Sequence, residues 1–306
     1  MTTAPPRTPN SVPLAAQSRK PSRMPWRQQR VPFSARALSF IVMGVFALYS
    51  LVPIWWLVVT ATKSSEDLFT TNPMWFSDFS LWGNITDVFQ QQDGIFAVWA
   101  GNTVIYCVGG AAISTMLAAM AGYALGKYEF PGRKLVSNAI LAAVLVPGVL
   151  FALPLYLMFS EISLVNTYWS VLLPSLVSPF GVFLASTYAT QAIPNELLEA
   201  ARIDGASEPR IFWRIGFPIM APALVTVFLF QFVAIWGNYL LPVLMLNNDT
   251  LQPLSVGLVN WRERLSQGIP YNMTITGSLL TVVPLLIAFS VLQRYWRSDL
   301  TAGGVK

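Results

Sequence analysis

The side chains that most enzymes use for chemistry are nearly absent from the apolar parts of this sequence. There is no histidine, and the single cysteine, Cys107, lies in an apolar run without a second thiol or neighbouring metal ligands. An enzyme needs a nucleophile, an acid–base pair or a metal site. These residue types therefore predict neither catalysis nor a bound metal on this chain.

Charged side chains instead concentrate in one polar stretch, residues 194–218, which we call the interspan segment. Its four acids and three arginines are Glu196, Glu199, Asp204, Glu208, Arg202, Arg210 and Arg214. This mixture is a poor match for anionic lipid headgroups, which disfavours a pair of amphipathic helices lying on the membrane. The better interpretation is that the interspan segment forms a rigid surface to which a partner protein binds.

The order of residues in the interspan segment predicts a helix, a break and a second helix. Asn195 is a favourable N-cap, and Glu196 places a negative charge in the first turn, where the helix dipole favours it. Gly205 suits the left-handed position that ends a helix. Ser207 can cap the second helix, and Pro218 is expected to end it.

The composition indicates an all-α integral membrane protein. Hydrophobic residues make up 54% of the chain and charged residues only 11%, whereas about 25% are charged in soluble domains. Six apolar runs without Asp, Glu, Lys, Arg or His are each near the about 20 residues that cross a bilayer. The runs are residues 37–61, 99–126, 135–159, 168–190, 217–246 and 273–293. We therefore predict six transmembrane helices.

Basic residues set the expected orientation in the cell membrane. Residues 1–36 hold seven Lys or Arg and no acid, which is typical of a disordered basic tail. With this tail in the cytoplasm, the cytoplasmic segments hold 16 Lys and Arg and the extracytoplasmic ones three. Both termini and the interspan segment should then be cytoplasmic. The basic residues do not cluster on a soluble domain, so nucleic acid is not an expected partner.

The spacing within the interspan segment resembles the signature loop of bacterial ABC importer permeases. That pattern is Glu-Ala-Ala, three residues, Gly, nine residues, Ile, two residues, Pro. The matching positions and the two residues beside the glycine are Glu199, Ala200, Ala201, Asp204, Gly205, Ala206, Ile215 and Pro218. The resemblance implies the type I ABC importer permease fold, with this loop forming a cytoplasmic coupling helix. It also implies that Glu199 meets a basic group on an ATPase, while Ala200, Ala201 and Gly205 allow close approach.

The resemblance implies an assembly rather than a protein acting alone. Its partners would be a second homologous permease, two cytoplasmic ATPase subunits, an extracytoplasmic solute-binding protein and membrane lipid. ATP and Mg would bind to the ATPase subunits. Lys127 follows Gly126, but Gly122 is one residue too near and Tyr128 replaces the Ser or Thr of a phosphate loop, so this chain has no such ATP motif.

Two other stretches resemble the carbohydrate-uptake subgroup of these permeases and imply a sugar substrate. One is the polar segment after the first apolar run, from Thr60 to Asn84. The other is the C-terminus, whose Leu300-Thr-Ala-Gly followed by Val305 and Lys306 matches the subgroup, although Gly304 replaces an alanine. Arg297-Ser-Asp also departs from the usual apolar residue and glycine. In this family the C-terminal tail can contact the ATPase dimer.

Amide and aromatic side chains near the last two runs suit sugars, because amides bond hydroxyl groups and rings stack on apolar sugar faces. The candidates for the substrate path are Gln231, Trp236, Asn238, Tyr239, Asn272 and Thr274. Polar residues in spans also hold helices together, and that alternative is at least as good. A phosphorylated solute would need cations, and the extracytoplasmic ones are Lys63, Arg262 and Arg264. An uncharged sugar fits better.

The sequence divides into four expected parts: the tail at 1–36, the first span with an extracytoplasmic segment at 37–98, a core of five spans at 99–294 and a cytoplasmic tail at 295–306. The second run carries a stripe of small residues, which predicts close helix packing. The stripe is Gly110, Ser114, Ala118, Gly122 and Gly126. A secondary transporter working without an ATPase is the main alternative, but such carriers usually keep ionisable residues in their spans.

Overall fold

The computed structural model describes residues 33–264 and 269–302, and every regular element in these ranges is helical. The helices are α1 (Phe33–Ala61), α2 (Asp67–Thr70), α3 (Leu81–Gln90), α4 (Ile95–Val104), α5 (Gly110–Lys127), α6 (Arg133–Leu145), α7 (Ala152–Glu161), α8 (Tyr168–Ser175), α9 (Pro179–Ala192), α10 (Asn195–Ile203), α11 (Glu208–Ile211), α12 (Phe217–Trp236), α13 (Leu240–Met245), α14 (Leu254–Glu263) and α15 (Tyr271–Ala302). Residues 1–32 of the predicted basic tail lie outside the described ranges. The last four residues of the C-terminal motif, 303–306, also lie outside them.

Five helical stretches are long and apolar enough to cross a membrane. They are Arg36–Ala61, Leu81–Lys127, Tyr168–Ala192, Glu208–Trp236 and Tyr271–Val291. A sixth apolar stretch is a pair of helices, Arg133–Leu145 and Gly148–Glu161, that bends by 99° at a short break. The prediction of an all-α membrane protein is confirmed, and the number of spans is six when the bent pair counts as one.

Three of the predicted runs are broken rather than straight. The break between α6 and α7 includes Val146, which precedes Pro147 and is extended, and the break between α8 and α9 includes Ser178, which precedes Pro179. A residue before proline is pushed out of the helical conformation, so both breaks follow from the sequence. The third break, between α12 and α13, begins at Gly237.

Two hydrogen bonds, one at each end, identify the two ends of the helix bundle. Lys127, the last residue of α5, donates to the carbonyl of Ile193 just after α9. Tyr168, the first residue of α8, donates through its hydroxyl to Asn102 in α4, at 2.7 Å. We call these the Lys127 end and the Asn102 end. Since the α4–α5 helix and the α8–α9 helix both run from the Asn102 end to the Lys127 end, the bent pair carries the chain back across the bundle.

The chain divides into two compact units, one ending at Leu51 and one beginning at Val52. In the first unit, the large apolar side chains of α1 between Leu38 and Leu51 are exposed around the whole helix, as expected of a helix surrounded by lipid. In the second unit, α5 and α9 pack closely. A Cβ on Gly122 would lie 2.5 Å from the Cβ of Ala185, so only glycine allows this approach. The predicted packing role of the small-residue stripe is confirmed there.

Candidate functional site

Helix α10 ends in a capped turn made by residues of the interspan segment. The N–H of Gly205 donates to the carbonyl of Arg202, and the N–H of Ala206 donates to the carbonyl of Ala201, both at 3.0 Å. This pair of bonds is a Schellman motif, whose glycine position requires a left-handed backbone. The φ angle of Gly205 is +79°, as the sequence predicted. The motif therefore fixes the angle at which the chain leaves α10.

The inner face of the interspan segment packs against the Lys127 end of the bundle. Leu198 is buried in a cluster with Ile211 and Phe212 from the next helical turn and with apolar residues of α5 and α9. Ala201, Ala206 and Ile215 pack against the same cluster. A Cβ on Gly216 would lie 2.6 Å from the ring of Tyr123, so the chain re-enters the bundle in direct contact with α5. This burial holds the segment against the helices that flank it.

One carboxylate links the two helices of the interspan segment. Glu208 accepts a hydrogen bond from Arg202 Nε at 2.7 Å and another from the hydroxyl of Tyr128 at 2.7 Å. Burial, followed by the hydrogen bond to Glu208, raises the pKa of Tyr128, so its hydroxyl remains a donor at physiological pH. The Arg202–Glu208 pair is about half exposed and by itself contributes little. Together with Tyr128 it connects α10 and α11 to the residue that follows α5.

Lys127 makes a second connection at the same end. Its ammonium group donates to the carbonyl of Ile193 and, at 3.0 Å, to the side-chain oxygen of Asn195. The prediction that Asn195 is the N-cap is wrong: Pro194 occupies that position, and Asn195 is the first helical residue. The amide of Asn195 serves this contact with Lys127 instead.

The prediction that Pro218 ends the second helix is also wrong. Helix α11 continues through a π-helical turn, Phe212–Gly216, into α12, and Pro218 is the second residue of α12. The wider π turn changes the hydrogen-bond register just before the proline, which lacks an N–H to donate. Ser207 stands at the N-cap of α11 but makes no capping bond through its side chain. The interspan segment therefore joins a membrane-spanning helix without a flexible joint.

The opposite face of the interspan segment is exposed. Glu199, Ala200, Asp204 and Gly205 all lie on this surface. Ile203 is 86% exposed, which is unusual for a large apolar side chain in an otherwise packed segment. The sequence analysis does not identify Ile203 as a surface residue. The signal for its exposure is its position between two charged residues, Arg202 and Asp204. The exposed surface combines acids, small residues and apolar side chains, of which Ile203 is the most exposed and Leu197 is 41% exposed.

The substrate-path candidates lie in different surroundings. Gln231 and Asn238 line one cavity of about 720 Å³. Trp236 packs instead against Phe232, and Tyr239 lies outside the residues that line the cavity. The structure thus brings together two of the four candidates from the fifth run.

The two candidates from α15 are buried at the Asn102 end. Asn272 donates to Asn84 at 2.9 Å and accepts from Ser65 at 2.7 Å, while Asn84 also donates to the carbonyl of Ala61. This network connects α15 to α3 and to the end of α1, which supports a packing role for Asn272. Thr274 is buried, and within the described residues its hydroxyl has no hydrogen-bond partner.

Two of the three cations considered for a phosphorylated solute are already engaged. Lys63 is 1% exposed, and its ammonium donates to Thr71 Oγ1 at 2.8 Å and to the carbonyl of Asn72 at 2.6 Å. Arg264 pairs with Asp249 at 3.3 Å. Neither side chain is placed to receive a phosphate.

The comparison with known families decides what kind of protein this is. Residues 114–300, more than half of the chain, match the family described as binding-protein-dependent transport system inner membrane component. The chain belongs to this family. The matched range contains the whole interspan segment and all of the residues that line the 720 Å³ cavity.

Relatives of this inner membrane component cover most of its length. The arabinooligosaccharides transport system permease protein AraQ of Halalkalibacterium halodurans is 37% identical over 213 residues, covering 70% of this chain and 75% of that protein. The AraQ protein of Bacillus subtilis is 32% identical over 272 residues, covering 88% of this chain and 95% of that protein. Both are permease components of transport systems.

A solved structure shares the fold. One chain of a bacterial ABC transporter involved in the import of the acidic polysaccharide alginate superposes with a TM-score of 0.74. It is 23% identical, and the match covers 87% of this chain and 98% of that chain. The expected type I permease fold is confirmed. As a permease component, this chain is a multi-pass membrane protein, and the described residues contain no group of His, Cys, Asp and Glu that could hold a metal.

Proposed function

We propose that this chain is the membrane-spanning permease subunit of an ABC importer that moves an oligosaccharide across the cytoplasmic membrane. Family membership and the sugar-transport relatives support this assignment. The observation that carries the coupling role is the interspan segment: its inner face is fastened to α5, α9 and α12, while Glu199 and Ala200 are exposed on its outer face. A partner that moves this segment would move the helices with it.

The proposed assembly contains a second homologous permease, two cytoplasmic ATPase subunits and an extracytoplasmic solute-binding protein. We place ATP and Mg on the ATPase subunits. The cytoplasm would contact both termini, residues 1–36 and 295–306, and the Lys127 end of the bundle. The Asn102 end would face the binding protein. The excess of Lys and Arg in the segments assigned to the cytoplasm supports this orientation.

The mechanism uses the interspan segment as a rigid lever. When ATP closes the ATPase dimer, the exposed face around Glu199 would move with the ATPase subunit. The Glu208 bridge and the contacts of Lys127 would transmit this motion to α5 and α9, and the π turn would transmit it to α12. The spans would then change the side of the membrane to which the solute path opens.

The first prediction tests Glu199 as the coupling residue. We expect Glu199→Lys to abolish ATP-driven uptake while the protein still assembles, because the exposed carboxylate would meet a basic group and removing one member of such a buried pair costs about 2–5 kcal/mol. The measurement is uptake and ATP hydrolysis in proteoliposomes that contain the whole transporter. Glu129→Lys is the matched control, since Glu129 is exposed near the same end but lies outside the interspan segment. Uptake by Glu199→Lys at the control's rate would contradict the prediction.

A further inference from the structure

Three helix breaks converge on one cavity. The residues that line the 720 Å³ cavity include Val146 at the α6–α7 break, Val177 at the α8–α9 break and Asn238 at the α12–α13 break. Each break interrupts an apolar run predicted to cross the membrane. Non-helical backbone at membrane depth is tolerated where it lines a cavity or is buried in protein. Three interruptions around the same space indicate that the space itself is a feature of the fold.

The side chains around the cavity are apolar, with a few uncharged polar groups. Among the residues that the structure describes, no Asp, Glu, Lys or Arg lines it, and most of its wall consists of side chains such as Phe151, Leu155 and Leu241. A volume of about 720 Å³ lies within the about 300–1,000 Å³ range of small-molecule sites. An ionised solute would lose its hydration here without gaining an opposite charge, which is strongly unfavourable.

Two amides in the cavity stabilise the broken helices with one atom each. Gln231 donates from Nε2 to the carbonyl of Ser175 at 2.8 Å, and Asn238 accepts through Oδ1 from the N–H of Leu241 at 3.3 Å. Within the part of the chain that the structure describes, Gln231 Oε1 and Asn238 Nδ2 make no hydrogen bond. These two amides therefore offer the cavity a carbonyl oxygen as an acceptor and an NH2 group as a donor.

The free amide atoms are complementary to hydroxyl groups, each of which can donate and accept. Gln231 lies within α12, whereas Asn238 lies in the break that follows α12, so the two amides reach the cavity from separate points. One solute that contacts both would therefore present hydroxyl groups at two separated points. A sugar with one or more rings has this arrangement.

We propose that the permease receives its solute in this cavity during transport, and that the solute is an uncharged oligosaccharide contacted by Gln231 Oε1 and Asn238 Nδ2. The inference rests on the proposed function and adds a site and a solute class to it. The cavity would discriminate against uronate oligosaccharides, whose carboxylates would find no cation in it.

The test replaces Asn238 with side chains that still carry an oxygen, since Oδ1 accepts from the N–H of Leu241 at the start of α13. Asn238→Asp retains an oxygen for the Leu241 N–H and removes the amide donor. Asn238→Ser adds no charge, and its shorter side chain withdraws the polar group from the place that Nδ2 occupies. The matched control is Asn248→Asp, because Asn248 caps the short turn Asp249–Leu251 through Oδ1 and lies outside the cavity. The complete transporter is reconstituted in proteoliposomes with a panel of short neutral and uronate oligosaccharides.

We expect both Asn238 variants to take up the neutral sugar about tenfold more slowly, because a hydroxyl of the solute would lose the amide that it contacts. ATP hydrolysis stimulated by the binding protein should remain, and Asn248→Asp should behave as the wild type. Retained hydrolysis separates this effect from the loss of coupling expected for Glu199→Lys.

Each contrary result has a distinct meaning. Uptake by both Asn238 variants at the control's rate, or a loss in Asn238→Asp that Asn238→Ser does not share, would overturn the cavity site while leaving the proposed function intact. Equal wild-type uptake of uronate and neutral sugars would overturn the solute class. If the wild type takes up no oligosaccharide with ATP, the proposed function itself fails, and the cavity proposal fails with it.

Discussion

Gly205 shows how a single residue type follows from backbone geometry. Its φ angle of +79° lies in the left-handed region, and no heavy atom outside its immediate neighbours lies within 4 Å of where a Cβ would be. In the isolated chain, a side chain at position 205 would therefore cost free energy through the left-handed backbone and not through a steric clash. The partner surface proposed above would add a second reason for the absence of a side chain.

At the residue scale, we expect Gly205→Ala to lower the thermal unfolding midpoint of the isolated chain and Gly205→Asn to lower it less. A left-handed backbone costs most residues about 1–2 kcal/mol, but asparagine adopts it more readily. The measurement is the thermal unfolding midpoint of the purified protein in detergent, without its partners. Gly83→Ala serves as the control, since Gly83 has open space and an ordinary φ angle. A ranking with alanine above asparagine would show that backbone strain is not the deciding factor.

At the scale of elements, α5 and α9 form the close helix pair on which the interspan segment rests. Their contact depends on Gly122 and Gly126, whose Cβ atoms would lie 2.5 Å from Ala185 Cβ and 2.9 Å from Ala189 Cβ. Small residues allow such approach in a membrane, where packing replaces the hydrophobic effect as the driving force. The same two helices end at Lys127 and just before Ile193, the residues that anchor α10.

We expect Gly122→Ala to destabilise this helix pair by about 1–3 kcal/mol, because one added methyl group overpacks the contact and forces the backbones apart. The check is the thermal unfolding midpoint of the purified protein in detergent, together with the yield of monodisperse protein. Gly101→Ala adds the same methyl group within helix α4 where nothing lies within 4 Å, so it should not lower the midpoint. Equal midpoints for the two variants would mean that the α5–α9 contact accommodates the added methyl group without moving the helices apart.

At the scale of the whole molecule, the bent pair decides the topology. If it crosses the membrane, the interspan segment lies on the opposite side from the polar segment that follows α1; if it re-enters, both lie on the same side. The bonds at the two ends of the bundle favour crossing, because Lys127 is near Ile193 and Asn102 is near Tyr168.

Labelling from one side of the membrane tests this topology. In a Cys107→Ala background, we expect a membrane-impermeant maleimide to label Thr70→Cys in intact cells, and to label Ser207→Cys only after the membrane is opened. Both positions are exposed in the structure, so burial does not limit the reaction. Equal labelling of both cysteines in intact cells would place the two segments on the same side and exclude six crossings.

The sequence by itself determined the class of the protein and the form of the interspan segment. Uncharged apolar runs of about 20 residues are long enough to cross a bilayer, so they indicate a membrane protein. The glycine that follows Glu-Ala-Ala, Gly205, is explained by the left-handed backbone at the end of α10. These features depend on neighbours along the chain. The breaks before Pro147 and Pro179, which the structure reveals, also have a local cause, because proline restricts the residue before it.

Only the tertiary structure decided which distant groups meet. Tyr128 contacts Glu208, 80 residues away, and Lys127 contacts Asn195, 68 residues away, and neither pairing has a signal in the sequence. For the same reason the errors at Asn195 and Pro218 arose where a remote contact or a π turn replaced the local preference. Gln231 and Asn238 could be grouped from their amide side chains in one apolar run, but the cavity depends on breaks in three separate spans. Their convergence on one space is set by packing between helices, and periodicity along any single helix does not encode it.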